Sequence, residues 1–168
     1  MSGTIDHVNV RLKIDAQLLS ALDLSSASDP LLVDILATLS NGTASGNASQ
    51  MWHDRRTLTS SATENLDLAA SLVNAFGVTL TFARIKCVLV LASTGNTNDV
   101  QFTRPASNGV PLFMAAGDGI ALAPGEWFVY FSPTTGKAVT AATGDILTVT
   151  NSAGSTSVTY DVVIIGTD

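Results

Sequence analysis

Reactive and charged side chains are scarce in this chain of 168 residues, which has one cysteine, two histidines and only 13% charged residues. A single cysteine excludes an intramolecular disulfide and a zinc site built from several cysteines. Ordinary globular domains carry about 25% charged residues, so the polar surface here must come mainly from Thr, Ser, Asn and Gly. Neutral surfaces of this kind suit extended sheets and protein–protein lattices, where each buried charge would need a partner.

Basic residues and long apolar runs are also few. Eight Lys and Arg residues against fourteen Asp and Glu residues give a formal net charge of -6, and no basic run is present to meet a phosphate backbone. We therefore expect no nucleic acid partner. Residues 1–14 contain no apolar signal-peptide region, and no stretch approaches the roughly 18 apolar residues of a membrane span. The sequence predicts a protein that has no membrane partner and is synthesised in a cytoplasm.

The few candidate reactive groups do not form a recognisable constellation. His53 stands next to Asp54, but adjacent residues of a strand point to opposite faces, so the two are not expected to act as a catalytic pair. Metal sites need several converging His, Cys or carboxylate groups, whereas acidic residues such as Asp118 are isolated or lie at turns. The sequence predicts no enzyme, no metal and no cofactor, and a calcium site assembled from separate loops stays open as an alternative.

The first fifty residues contain two different patterns. Residues 8–15 alternate strictly between apolar and polar side chains, which predicts a half-buried β-strand. Asp29 and Pro30 then resemble a helix start, and the apolar residues that follow have helical spacing, so we predict a short amphipathic helix over about residues 30–40. Residues 41–50 are small and polar and read as a linker. The residues with helical spacing are Leu31, Leu32, Ile35, Leu36 and Leu39.

The rest of the chain is a series of short β-rich segments separated by turn residues. There are roughly nine of them at a spacing of about 8–15 residues, with no recurring helix, which is typical of an antiparallel sandwich. Residues 51–58 and 64–69 flank a polar loop and are expected to form a hairpin. Residues 158–165 include a continuous apolar run, which favours a central strand covered on both sides. The predicted fold is mostly β, an antiparallel β-sandwich of jelly-roll type with one short N-terminal helix.

These patterns divide the chain into two parts. Residues 1–50 comprise the strand, the helix and the linker, and this part could pack as an arm on a neighbouring molecule. Residues 51–168 form the β-sandwich domain.

The most aromatic segment, residues 127–131, is apolar on both faces of a strand. Two interpretations are open: a buried central strand, or a strand whose outer face docks on a neighbouring subunit, since aromatic residues are favoured in interface cores. Candidate interface residues are taken from this strand, from the strand near residues 52–58 and from the predicted helix. They are Trp52, His53, Arg55, Arg56, Leu32, Ile35, Leu36, Trp127 and Tyr130.

Several segments share their character with a known class of proteins. The run Trp52-His53-Asp54-Arg55-Arg56-Thr57-Leu58, together with residues 61–69, 76–77, 81–86 and 138–166, resembles tailed-phage virion structural proteins of the capsid cement or decoration type. The likeness covers about residues 41–168. It implies a small β-sandwich on the outer surface of the capsid that stabilises the phage head by bridging major capsid subunits.

The expected partner is therefore the major capsid protein, and a homo-oligomer is favoured. A different class of function also fits the predicted fold. A tail or head-fibre module could bind a receptor or glycan, with an exposed Trp127 or Trp52 stacking on the sugar.

Overall fold

A computed structural model describes residues 4–168 of the chain, and these residues form strands and turns without any helix. The predicted mostly β class is confirmed. Within the same range no helix is long and apolar enough to cross a membrane. The strands are β1 (His7–Ala21), β2 (Ser26–Asn41), β3 (Asn47–Ala48), β4 (Gln50–Leu58), β5 (Thr63–Asp67), β6 (Arg84–Ala92), β7 (Val100–Thr103), β8 (Gly119–Leu122), β9 (Trp127–Phe131), β10 (Lys137–Ala138), β11 (Ile146–Asn151) and β12 (Val158–Thr167).

Two antiparallel sheets enclose the main core and form what we call the body. The β12 sheet has the order β10-β6-β12-β4, with β9 also paired to β6, and the β11 sheet has the order β5-β11-β7-β8. Alternate side chains of both sheets point into the space between them, as the period of two requires. Three phenylalanine rings, Phe102, Phe113 and Phe128, meet within this core with centroids 5.6–5.8 Å apart.

The C-terminal strand is central, as the apolar run predicted. β12 pairs with β4 on one side and with β6 on the other. Val162 and Ile164 point into the main core and are fully buried, while Ile165 lies on the other face and is also buried. A strand covered on both faces needs apolar residues at consecutive positions, which explains the run Val162–Ile165.

The hairpin predicted for residues 51–58 and 64–69 is wrong. β4 belongs to the β12 sheet, whereas β5 pairs with β11 in the other sheet. The polar loop at residues 59–62 therefore carries the chain across the core from one sheet to the other. The alternating pattern of each segment is the same in both arrangements, so periodicity could not separate them.

A polar network joins the two sheets at one edge of the core. Arg56 of β4 donates from Nε to Glu64 Oε2 on β5 over 3.0 Å, and the Tyr160 hydroxyl of β12 donates to Glu64 Oε1 over 2.6 Å. Burial and, secondly, the hydrogen bond to Glu64 raise the pKa of Tyr160 above its ordinary value. Each oxygen of the mostly buried carboxylate thus has a donor, as a group removed from water requires.

Residues 7–41 form a two-stranded arm, which we define as β1, β2 and the turn between them. The strands pair antiparallel from His7 opposite Ser40 to Ala21 opposite Ser26, through all 15 residues of β1. At about 3.4 Å per residue the arm is about 50 Å long. At its base, the last residues of β2 pair in parallel with β3, and β3 leads directly into β4.

The helix predicted over residues 30–40 is wrong, because β2 occupies these positions. The apolar residues fit a helical spacing, but they also contain a strict alternation that faces the apolar residues of β1. Pairing with β1 provides backbone hydrogen bonds along one edge of the whole strand and prevails over the local helical pattern. Pro30, read as a helix start, is accommodated because a strand edge does not need its missing N–H. The alternating residues are Leu31, Val33, Ile35, Ala37 and Leu39.

The predicted linker over residues 41–50 is shorter than expected. Gly42 begins a turn at a positive φ of 132°, which a glycine adopts without the strain of a side chain. Residues 47–48 then form β3, and Gln50 begins β4. The arm is therefore connected to the body by a short, hydrogen-bonded turn.

The inter-sheet network can be tested with Tyr160→Phe, which removes the hydroxyl and keeps the ring in the core. We expect the free energy of unfolding to fall by about 1–3 kcal/mol, because a mostly buried carboxylate oxygen loses its donor. Chemical denaturation followed by circular dichroism measures this change. Tyr130→Phe is the matched control, since its hydroxyl lies outside the network, and it should change stability by less than about 0.5 kcal/mol. Equal losses in both variants would contradict the role assigned to Glu64.

Candidate interaction surface

One face of the arm is almost entirely apolar and open to solvent. Even-numbered residues of β1 and odd-numbered residues of β2 lie opposite one another on it, for example Leu12 opposite Ile35 and Ile14 opposite Val33. Leu12 is 45% exposed and Ile35 is 56% exposed. We call this surface the apolar arm face, and its members are Val8, Val10, Leu12, Ile14, Ala16, Leu18, Leu31, Val33, Ile35, Ala37 and Leu39, with Ser20, Ala27 and Asp29 at the tip end.

The opposite face of the arm is mainly polar and its charged groups have partners. Arg11 donates from Nε to Asp34 Oδ1 over 2.7 Å across the two strands. This hydrogen bond lowers the pKa of Asp34 and raises the pKa of Arg11. Thr38 donates to the Asn9 side chain over 2.7 Å. The polar groups of this face therefore have hydrogen-bond partners or contact water. The apolar arm face, in contrast, exposes apolar side chains to water.

The tip of the arm is apolar on both faces. Leu18 and Leu19, which are neighbours in β1 and so point to opposite faces, are 72% and 64% exposed. Leu24 in the turn is fully exposed. Large contiguous apolar patches are uncommon on monomeric proteins and mark sites of interaction.

The base of the arm is anchored on the outer face of the β12 sheet. Val8 and the fully buried Leu39 pack there in a small apolar cluster with Cys87, Ile165 and Phe131. Burial in this cluster raises the pKa of the Cys87 thiol to about 11. The apolar arm face thus begins as a buried contact and continues outward without cover.

The outer face of the β12 sheet is also partly apolar beyond the arm. Val163 of β12, Leu89 of β6 and Val129 of β9 form one row across the sheet, and His53 of β4 continues it. Trp127 lies in the next row and is 56% exposed. Of the two interpretations of residues 127–131, a buried central strand is wrong: β9 pairs only with β6 among the described strands, and its outward side chains reach solvent.

The predicted interface residues fall into separate groups. His53 and Arg55 are exposed on the outer face of β4, and Arg55 Nε donates to Asp161 over 2.6 Å. Trp52 is only 4% exposed and packs in the main core, which corrects its assignment as a surface residue. Arg56 lies on the same face of β4 as Trp52 and is half-buried, with its guanidinium bound to Glu64. Tyr130 also points inward and is partly buried against the core.

The three predicted interface residues of the helix, Leu32, Ile35 and Leu36, are all exposed but do not share a face. A helix would place Leu32, Ile35 and Leu36 on one side. The observed strand places Ile35 on the apolar arm face and Leu32 and Leu36 on the opposite face. The interaction surface is therefore built by the pairing of β2 with β1, which the helical interpretation missed. The alternation of residues 31–39 was the signal that could have found it.

A cleft with a volume of about 310 Å³ lies beside β4 and includes both histidines. His53 is exposed there, and Asp54 points to the other face of β4, as the sequence predicted, where it accepts from Arg56 Nη1 over 3.1 Å. Within residues 4–168 there is no group of three or more His, Cys, Asp or Glu side chains that could hold a metal ion. The main lining residues are Asp6, His7, Trp52, His53, Phe76 and Asp168.

The anchored base can be tested through the reactivity of Cys87. Raising a thiol pKa from 9.0 to about 11 lowers the thiolate fraction at pH 8 by about a hundredfold, so native protein should react slowly with a disulfide reagent. Leu39→Ala removes the buried side chain above the thiol and should speed labelling at least about tenfold. Leu36→Ala, on the same strand but facing away from the cluster, is the control and should leave the rate unchanged. Rapid labelling of the native protein would contradict this packing.

Comparison of the chain with protein-family models, with curated proteins and with solved structures finds no match.

Proposed function

We propose that this chain is a virion structural protein of the capsid cement or decoration type, which stabilises a phage head by bridging major capsid subunits on the outer surface. The observation that carries the proposal is the arm, a projecting element about 50 Å long with an uncovered apolar face. A projection with an apolar face of this kind suits a molecule that holds neighbours together. In this proposal the chain catalyses no reaction.

The strand order of the body supports the proposal. We propose that the body is a jelly roll, because eight of its strands fall into the orders β9-β6-β12-β4 and β5-β11-β7-β8. This is the arrangement expected when a long hairpin of four strand pairs is folded over into two sheets. Jelly rolls recur in viral capsid proteins and in lectins, although a fold alone does not determine a function.

The surface chemistry supports the same role. A chain with 13% charged residues and an acidic net charge has little with which to bind DNA but presents large neutral surfaces to other proteins. A cement protein binds the assembled shell and not its free subunits, so binding shifts the equilibrium toward the shell by mass action. Many copies on one particle make the total effect large even when each contact is weak.

The experiment is to delete the gene from the genome that encodes this chain and to compare the resulting particles with the wild type. We expect particles that lack the chain to release DNA at a lower temperature, because the bridging contacts between capsid subunits are lost. Release is measured with a DNA-binding dye during heating, and particle composition by mass spectrometry. Purified wild-type protein added to the depleted particles should restore the release temperature. Particles with unchanged composition and unchanged release would overturn the proposal.

A second candidate function is supported by the exposure of Trp127. An exposed indole on the face of a lectin-like sheet could stack on a sugar ring, as in a receptor- or glycan-binding module of a tail or head fibre. The buried Trp52 cannot take this role.

Glycan-array binding by the purified protein tests this second function. If it is correct, the wild type binds a defined glycan and Trp127→Ala removes binding, because the stacking surface is lost. Phe76→Ala is the matched control, since Phe76 is 66% exposed at a separate site. A wild type that binds no glycan would exclude the stacking role and leave the cement proposal unaffected.

A further inference from the structure

We propose that the apolar arm face packs against the apolar arm face of a second copy of this chain, so that the protein self-associates through its arms. This inference goes beyond the capsid role and does not depend on it, since a glycan-binding module with this arm would associate in the same way.

The arm lacks a layer that would stabilise it along most of its length. A two-stranded antiparallel ribbon is marginally stable in water, and three strands or a packed face are needed for independent stability. Only the base of the arm has such packing, through Val8 and Leu39. From Val10 to the tip, β1 and β2 pair with each other, and most of their side chains are exposed to solvent. Burial of the apolar arm face would supply the missing layer.

The open part of the face is large enough for a contact between two copies. From Val10 to Ala21 the arm is about 40 Å long and about 10 Å wide, so the flat area beyond the buried base is about 400 Å² on each copy. Two such faces in contact remove about 800 Å² in total before the relief of the side chains is counted. The relief raises this area toward the lower limit of about 1,000 Å² for a specific protein–protein interface, so we expect an association that dissociates on dilution.

The apolar arm face is complementary to a second copy of itself. Along the stretch from Val10 to Leu18 and from Leu31 to Ala37 it presents no charged group, and Asp29 near the tip is its one charged residue. Two copies in contact would therefore bury no unpaired charge along that stretch, and the ion pair of Arg11 with Asp34 would stay in water on the outer side. A symmetric contact uses the same patch on both copies, and this patch meets that requirement.

The branched side chains also suit packing of sheet on sheet. Leu12, Ile14, Val33 and Ile35 stand at the middle of the face in two directly opposed pairs. Two layers of this kind pack about 10 Å apart with their side chains interdigitated, as in the core of a sandwich. The layer formed by two arms would thus resemble the core of the body on a smaller scale.

Sedimentation equilibrium of the full-length protein over a range of concentrations tests the proposal. We expect an assembly of at least two chains of 17.4 kDa each, which dissociates on dilution. The double variant Leu12→Thr with Ile35→Thr keeps strand-forming residues but removes apolar area from the centre of the face. It should raise the dissociation constant at least about tenfold, as expected when large apolar side chains are lost from an interface core.

The matched control is Arg11→Thr with Leu36→Thr, which changes the neighbouring register pair on the opposite face. It should leave the dissociation constant within about threefold of the wild-type value. Slow labelling of Cys87 in each variant checks that the body is folded and that the base of the arm is still packed on it. If the double variant unfolds, the single variants Leu12→Thr and Ile35→Thr provide the same comparison with a smaller change.

Amide hydrogen exchange gives a second readout that is local to the arm. Exchange in β1 and β2 should slow as protein concentration rises, while exchange in β6 and β12 should not depend on concentration. A wild type that stays monomeric at all concentrations would overturn the proposal, whether its arm is protected by folding onto its own body or is left open for a different partner. Equal weakening by the variants on both faces would also overturn it, since association would then not use the apolar arm face.

Discussion

A single pair of β-strands cannot bury either of its faces, and this constraint governs the whole molecule. In the body, two sheets solve the problem by covering one another, with alternate residues of β6, β11 and β12 in a shared core. The arm has the same alternation and the same kind of apolar residues, but it has no second layer beyond its base. The energetic difference between the two parts lies therefore in what covers them and not in their residue types.

In the body, buried polar side chains supplement the apolar layers, including Asn151 of β11, which donates to the carbonyl oxygens of Thr59 and Thr156. Arg56, Glu64 and Tyr160 join the sheets at one edge, where a carboxylate would otherwise be buried without donors. The remaining charged groups lie mostly on outer faces, as in the pair of Arg55 with Asp161. A surface with so little charge is suited to contact with other protein surfaces, because few groups lose their hydration when the contact forms.

The sequence predicted the parts of the fold that depend on local alternation, and it failed where a distant partner decided the outcome. The strand at residues 8–15 and the central strand at residues 158–165 were recognisable because their own patterns allowed one interpretation. Residues 30–40 allowed two, and pairing with β1 selected the strand. The exposure of Trp127 and the burial of Trp52 could not be predicted from periodicity, because both depend on which face of β9 and of β4 is covered by the second sheet. The candidate surface was found only in part, since its second strand was taken for a helix.

The attachment of the arm has a mechanical consequence. The arm meets the body at its base, through the apolar cluster that contains Leu39, Cys87 and Ile165 and through the short turn after β2. Over a length of about 50 Å, a rotation of about 5° at the base corresponds to a displacement of about 4 Å at the tip. The packing of a few side chains at the base therefore sets the position of the whole apolar arm face relative to the body.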